Sequence, residues 1–112
     1  MDISAELTAP CTPEVLFAWV RDLERYPEWL EIVTQAQPAD DGSWAVDLRG
    51  RMGPLARTKR LRMVRSELVE PSRVVFERAE QDGRDHSPWK LEVDVVPADD
   101  GARLTMALHY GG

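Results

Sequence analysis

Residues 12–30 read TPEVLFAWVRDLERYPEWL and carry the signals for two short helices. Thr12 offers a hydroxyl as helix N-cap, Pro13 suits the first helical position, and Glu14 places a negative charge in the first turn. Apolar residues then recur at helical spacing: Val15, Leu16, Trp19, Val20 and Leu23. The pattern predicts a first helix over residues 13–21.

A second, shorter helix is predicted directly after the first. Asp22 is the candidate N-cap of a helical segment that reaches Arg25. Residues 26–30, YPEWL, continue as another helical turn, because Pro27 sits where a first turn tolerates proline. The helical part of the chain therefore ends near residue 30.

Strand patterns surround this helical stretch. Before it, Ile3, Ala5 and Leu7 alternate with polar residues, which is typical of a half-buried strand. After it, six segments with strand character are joined by turns or loops: residues 32–37, 44–49, 58–68, 73–80, 89–95 and 104–110. The order contains no repeated βαβ unit. It predicts a single α+β domain over residues 1–112, with a curved antiparallel sheet of about seven strands and the helices on one side.

The helical stretch also carries a family pattern, a proline-led helix followed by Asp-hydrophobic-x-x-Tyr-Pro-x-Trp. The residues that match it are Pro13, Val15, Leu16, Phe17, Trp19, Val20, Asp22, Leu23, Tyr26, Pro27 and Trp29. The turn at Glu70 and Pro71, ahead of residues 74–77, fits as well. Over essentially its whole length the chain resembles the START-like (SRPBCC) superfamily, the polyketide cyclase/dehydrase and lipid transport family. This resemblance implies the helix-grip fold and a ligand cavity on the concave face of the sheet.

One departure from the family concerns the C-terminus. Members of the family end in a long helix across the concave face, whereas only Gly111 and Gly112 follow the last predicted strand. We therefore expect a C-terminally incomplete domain whose inward apolar rows are largely uncovered. Burial of apolar surface is worth roughly 25 cal/mol per Å², so the face should be covered by the rest of a longer chain, by a partner subunit or by a ligand.

Composition narrows the cellular setting. A chain of 112 residues that is 43 % apolar and 30 % charged has the balance of one globular domain. The net charge of −6 argues against binding to nucleic acid or to an anionic membrane, and the cations of residues 57–65, with no aromatic among them, are expected on a solvated strand. No apolar run suits a membrane helix, no secretory signal pattern is present, and Cys11 is the single cysteine. We expect a cytoplasmic protein without metal or cofactor.

The ligand-binding candidates come from the inward rows of the sheet and from the loops at their ends. The resemblance implies that the Gly/Pro loop of residues 50–55 gates the cavity. Arg78 has the parity of Phe76, so its guanidinium is expected to anchor a carboxylate or phenolate in the cavity, or else to reach solvent or pair with an acid near the strand end. The predicted ligand contacts are Trp44, Met52, Leu55, Phe76, Arg78, Trp89, Leu91, Met106 and Tyr110.

Three residues are candidates for catalysis. His86 lies at a loop-to-strand junction on the predicted cavity rim, and imidazole is suited to proton transfer near neutral pH. Arg78 and Tyr110 lie on inward rows, where a guanidinium or a phenol could contact a substrate oxygen. His109 has the opposite parity and is expected to face outward.

Three functions remain open from the sequence. The first is binding of a small hydrophobic or aromatic ligand, such as a lipid, an isoprenoid or a polyketide-like molecule. The alternative is an enzyme of the polyketide cyclase/dehydratase type that uses His86, Arg78 or Tyr110. The second alternative is a protein-interaction module, in which a partner or a homodimer covers the exposed concave face. Since the superfamily hosts carriers, enzymes and adaptors, the fold alone does not choose among them.

Overall fold

The computed structural model describes residues 2–49 and 58–111. Within these residues, two short helices follow the first strand and six further strands come after them. The elements are β1 (Asp2–Ala9), α1 (Pro13–Ala18), a 3₁₀ helix (Leu23–Glu28), β2 (Val33–Pro38), β3 (Trp44–Leu48), β4 (Lys59–Val69), β5 (Arg73–Arg78), β6 (Trp89–Ala98) and β7 (Gly101–Tyr110). The predicted α+β class is confirmed.

All seven strands form one antiparallel sheet in the order β1-β7-β6-β5-β4-β3-β2, so β1 and β2 are its two edges. The register aligns apolar residues across neighbouring strands. Leu108 of β7 lies opposite both Ile3 of β1 and Leu91 of β6, and Leu91 in turn lies opposite Phe76 of β5. Because cross-strand partners share a face, these residues form one inward row on the curled sheet.

Helix α1 ends earlier than the predicted residue 21, and side chains account for its end. The helix begins as expected, with the Val15 N–H donating to Thr12 Oγ1 at 3.3 Å. At the other end, three consecutive carbonyl oxygens accept side-chain donors: Ala18 from Arg25, Trp19 from Trp29 Nε1, and Val20 from the Tyr26 hydroxyl. These bonds satisfy backbone acceptors that a longer helix would have paired internally.

Asp22 does not act as the predicted helix cap. Its backbone is extended, and its side chain makes no hydrogen bond to the 3₁₀ helix. The Asp22 carboxylate instead accepts a hydrogen bond from Arg65 of β4 at 2.8 Å, and Arg65 also donates to the carbonyl oxygen of Arg21 at 2.6 Å. An arginine of the sheet therefore fixes the junction between the two helices.

Tyr26 lies at the centre of the packing between the helices and the sheet. It is completely buried, and its hydroxyl donates to the Val20 carbonyl oxygen at 2.9 Å. Its ring centroid lies 4.7 Å from that of Trp29 and 6.0 Å from that of Phe76, in an edge-on contact with the latter. Burial raises the pKa of the Tyr26 phenol above its ordinary value. The tyrosine of the family pattern is thus a core residue.

Gly101 is required by a close approach of two strands. Its φ of +155° lies in a region that L side chains rarely adopt, and a Cβ at this position would come within 2.0 Å of the Ala9 carbonyl oxygen. The same Cβ would lie 2.9 Å from the Cys11 backbone nitrogen. Glycine therefore allows the start of β7 to approach the end of β1.

The concave face is better covered than the sequence led us to expect. No long helix follows β7 in the described residues, which end at Gly111. The inward residues are nevertheless buried, except Met106 and Leu108, and the buried ones are Trp44, Val46, Leu48, Val74, Phe76, Trp89, Leu91, Val93, Val95 and Leu104. The expectation of a largely open face is wrong in extent, because the helices and the curl of the sheet exclude water from most of it.

Candidate functional site

A groove of about 180 Å³ remains on the concave face. Its walls come from β1, β2, β3, β4, β6 and β7, from the 3₁₀ helix and from the segment that leads to β2. The lining residues are Ile3, Ser4, Ala5, Leu23, Leu30, Ile32, Val33, Val46, Leu48, Leu61, Met63, Trp89, Leu91, Met106 and Leu108. Apart from Ser4 and the indole N–H of Trp89, these side chains are apolar. Such a lining can bury hydrocarbon or an aromatic ring.

Three of the predicted ligand contacts line this groove. Trp89 and Leu91 of β6 and Met106 of β7 contribute to its wall, as strand alternation predicts. Sequence reasoning missed the contribution of β1, where Ile3 and Ala5 line the groove from the opposite edge of the sheet. The alternation in β1 predicts which face of the sheet these two residues occupy. The curl of the sheet, which brings that face to the groove, depends on tertiary packing and not on the local pattern.

Trp44 and Phe76 lie elsewhere, in the core beneath the helices. The Trp44 indole N–H donates to a Glu24 carboxylate oxygen at 2.7 Å. Phe76 packs edge-on against Trp44, with ring centroids 5.6 Å apart, and also contacts Tyr26. Neither residue lines the groove. The predicted contacts Met52 and Leu55 fall outside the described residues.

Trp89 carries the main polar feature of the groove wall. Its ring stacks on that of the predicted contact Tyr110, with centroids 4.6 Å apart and planes inclined by 13°. The Nζ of Lys59 lies 5.4 Å from the centroid of the Trp89 ring. Trp89 is only 3 % exposed, and its indole N–H has no hydrogen-bond acceptor among the described residues.

Lys59 is a residue that the sequence reasoning missed. It lies opposite Leu48 in the β3–β4 register, and Leu61 lies opposite Val46, so Lys59 shares the inward face of the sheet. The signal was present in the sequence, because Lys59 has the same parity as Leu61. Nothing in residues 2–49 or 58–111 places a carboxylate in an ion pair with its ammonium group.

Arg78 and His86 meet in a polar cluster outside the groove. Arg78, whose side chain is 9 % exposed, donates to Glu80 at 2.6 Å, to the Ser87 carbonyl oxygen at 3.3 Å and to His86 Nδ1 at 3.1 Å. His86 Nε2 lies 2.8 Å from a carboxylate oxygen of Asp82. Of the roles predicted for Arg78, the observed contacts match ion pairing with an acid, which is Glu80.

The hydrogen-bond partners in this cluster determine the tautomer of His86. An arginine can only donate, so His86 Nδ1 is the acceptor and Nε2–H is the donor to Asp82. Hydrogen bonds from the Arg84 backbone N–H and from His86 lower the pKa of the Asp82 carboxyl. Both ring nitrogens of His86 are therefore occupied by protein partners, and neither is directed to a groove ligand.

The convex face carries a separate set of charges. His109 faces this side, as its parity predicts, with Nδ1 2.8 Å from Asp2 and Nε2 3.0 Å from Glu92. The hydrogen bond to Asp2 raises the pKa of the His109 imidazole the most, and the hydrogen bond to Glu92 raises it further. Both ring nitrogens of His109 therefore already have carboxylate partners in the protein.

Arginines of the basic run that lie on β4 pair with acids. Arg60 pairs with Asp47 at 2.7 Å, and Arg62 pairs with Asp41 at 2.9 Å. The side-chain hydrogen bond from Arg60 lowers the pKa of Asp47. In the described part of the chain, no helix has the length and apolarity to cross a membrane, and no cluster of three or more metal-ligating side chains is found.

Comparisons with known proteins agree with this architecture. The profile of the family described as polyketide cyclase / dehydrase and lipid transport matches residues 1–112. A protein from Deinococcus radiodurans superposes with a TM-score of 0.79 at 19 % identity, over 98 % of this chain and 83 % of that one. A START superfamily protein from Mycobacterium smegmatis gives 0.73 at 14 % identity, over 98 % and 76 %. The AHSA1 protein from Silicibacter pomeroyi gives 0.66 at 22 % identity, over 100 % and 81 %.

The curated protein sequences contain no match to this chain. At these identities the solved structures show the fold alone, and they confirm the helix-grip arrangement expected from residues 12–30. The profile covers every residue of the chain, including the stretch that forms α1 and the 3₁₀ helix. The chain therefore belongs to the polyketide cyclase/dehydrase and lipid transport family.

Proposed function

We propose that the chain binds a small hydrophobic or aromatic molecule in the groove on the concave face of its sheet. The observation that carries the proposal is the lining, in which apolar side chains from both edges of the sheet meet around one space. The description of the family includes lipid transport, which supports a ligand of lipid, isoprenoid or polyketide type.

The size of the groove sets the scale of the ligand. An engineered apolar cavity of about 150 Å³ accepts benzene, and the groove measures about 180 Å³. It therefore accommodates one aromatic ring or a short hydrocarbon chain. Each CH₂ group removed from water contributes roughly 0.8 kcal/mol, so a chain of several carbons supplies enough free energy for measurable binding.

Binding is favoured over catalysis by the position of the catalytic candidates. Arg78 and His86 lie in a cluster with Asp82 and Glu80, away from the groove lining. Tyr110 packs against the ring of Trp89 and is also outside that lining. A cyclase or dehydratase needs at least one acid or base in contact with its substrate. Among the described residues, the lining itself offers a ligand no titratable side chain.

A thermal unfolding series with neutral probes tests the proposal. We expect 1-octanol, geraniol or phenol to stabilise the protein, by about 2.7 kcal/mol at a free concentration one hundred times Kd. Met106→Trp should fill the groove and abolish this stabilisation. Thr105→Trp places the same side chain on the opposite face of β7 and should leave it intact. Equal stabilisation of both variants would show that the probes bind elsewhere.

A homodimer that buries Trp89 and Met106 is the competing proposal. It predicts a dimer mass in analytical ultracentrifugation and a monomer after Met106→Arg, which would place a charge in the apolar contact.

We further propose a cytoplasmic location, because Cys11 is a free thiol and such thiols suit a reducing compartment. Fractionation of cells that express the tagged chain checks the location.

A further inference from the structure

Two polar groups beside the groove lack a hydrogen-bond acceptor or a counter-charge among the residues that the structure describes. The Lys59 ammonium lies on the inward face of β4, and within the described residues its contact is with the Trp89 ring, not with a carboxylate. Lys59 is half-buried on this face, where a partly desolvated cation without an anionic partner is unfavourable. An anion from outside the protein would supply the missing partner.

The second group is the indole N–H of Trp89. The residue is 3 % exposed and lines the groove, and the N–H has no acceptor among residues 2–49 and 58–111. A buried donor without an acceptor destabilises a protein, because it has lost its hydrogen bond to water. The other buried indole, that of Trp44, donates to Glu24 at 2.7 Å, so the lack of an acceptor is particular to Trp89.

We propose that the ligand is an amphipathic monocarboxylate, with its hydrocarbon part in the groove and its carboxylate between Lys59 and the Trp89 N–H. This inference rests on the proposed function and specifies its ligand class. Lys59 Nζ lies 5.4 Å from the centroid of the Trp89 ring, so the ammonium lies beside a residue of the groove wall. A carboxylate has two acceptor oxygens for the two donors, and its single negative charge balances the single ammonium.

Neutral and cationic ligands leave this end of the groove unmatched. An alcohol can accept one hydrogen bond from the indole and leaves the ammonium without a counter-charge. An amine places a second cation beside Lys59 and is repelled by it. The proposal therefore predicts how the affinity of each probe changes when the charge of Lys59 is removed. Octanoate should bind much more weakly, 1-octanol should bind almost unchanged, and octylamine should bind more tightly.

Affinities of these three probes for four proteins test the proposal. In Lys59→Met, octanoate should bind about tenfold more weakly, whereas 1-octanol should bind within twofold of wild type. Lys59→Arg keeps the charge and should retain octanoate. Lys90→Met removes a lysine on the convex face, where Lys90 lies 3.8 Å from Glu92, and should leave all affinities unchanged.

The Trp89 indole resonance provides a second measurement on the unmodified protein. In ¹⁵N–¹H spectra, octanoate should shift this resonance in a saturable way. The indole resonances of Trp29 and Trp44 should stay in place, because their N–H groups already have the acceptors Trp19 and Glu24. A saturating octanoate titration that leaves the Trp89 resonance unmoved would overturn the proposal even if a Lys59 variant fails to fold.

The outcomes separate this inference from the broader one. If Lys59→Met weakens octanoate and 1-octanol equally, the carboxylate assignment is wrong and groove binding stands. If octanoate and 1-octanol both bind the Met106→Trp variant as tightly as wild type, the groove itself is not the site. If neither probe binds wild type, the proposed function fails together with its ligand class.

Discussion

Replacement of Tyr26 by phenylalanine isolates one hydroxyl at the centre of the core. The variant keeps the ring contacts to Trp29 and Phe76, and it removes the hydrogen bond from the hydroxyl to the Val20 carbonyl oxygen at 2.9 Å. Because Tyr26 is completely buried, water cannot readily replace the lost donor. The Val20 carbonyl would then keep one bonding site without a partner.

The size of the effect follows from this burial. Leaving a buried acceptor without a partner lowers the free energy of unfolding by about 1–3 kcal/mol. Unfolding entropy scales at about 2.1 cal/mol/K per residue, which gives roughly 0.24 kcal/mol/K for a chain of this length. Tyr26→Phe should therefore lower the midpoint of thermal unfolding by about 4–12 °C at neutral pH.

The same variant should remove a pH dependence. The folded-state pKa of Tyr26 is raised by burial, so its contribution to stability is complete below the unfolded-state pKa of about 10 and is lost as the pH rises above it. Above pH 10, wild type should therefore lose about 1.4 kcal/mol per pH unit more than Tyr26→Phe. Urea unfolding of both proteins from pH 7 to pH 11 measures the difference.

Two results would refute this reasoning. A loss below about 0.5 kcal/mol at pH 7 would mean that the hydroxyl contributes no more than an exposed one. A stability difference that stays constant between pH 9 and pH 11 would mean that Tyr26 ionises as readily in the folded state as in the unfolded state. The second measurement is independent of the first, because it depends on the burial of the phenol and not on its hydrogen bond.

Two further predictions concern the strand turns and the convex face. Gly101→Ala should lower the free energy of unfolding by about 4 kcal/mol or more, because its Cβ would overlap the Ala9 carbonyl oxygen. Gly83→Ala is the control, since a Cβ there meets nothing within 4 Å, and it should lower the free energy of unfolding by about 1–2 kcal/mol. Equal losses for the two variants in urea unfolding would contradict the clash at Gly101. The His109 imidazole should titrate above 6.5 by NMR and move down in Asp2→Asn. Its stabilising effect should be complete below pH 6.5 and fade as the pH rises through the raised folded-state pKa, so a His109→Gln variant that lags wild type equally at pH 6 and pH 9 would contradict the assignment.

The strand and helix order could be predicted from the sequence because its signals are local. Alternation located β6 and β7, and the Thr12-Pro13 pair located the start of α1. The end of α1 could not be predicted by the same means. It depends on Tyr26 and Trp29, whose polar atoms reach back to the carbonyl oxygens of the preceding turn. A helical pattern in the sequence contains no information about such competition for acceptors.

The site was predicted only where it depends on strand parity. Parity alone led to Trp89 and Met106 as ligand contacts, and both line the groove. It also selected Phe76, which faces inward and is nevertheless covered by the 3₁₀ helix. Lys59 obeys the same parity and was passed over because a charged residue in a basic run resembles a solvent-facing one. Distinguishing these cases requires the packing of the helices against particular strands.

The position of the two edge strands has a mechanical consequence. β1 and β2 lie at opposite ends of the strand order, yet Ala5 of β1 and Val33 of β2 both line the groove. A molecule bound there contacts both edge strands at once, and it would link two edges that no strand pairing joins in the described part of the chain. Ligand binding in the groove would then make the curvature of the whole sheet more rigid. The stability of the edge strands β1 and β2, which each have one neighbouring strand, would increase the most.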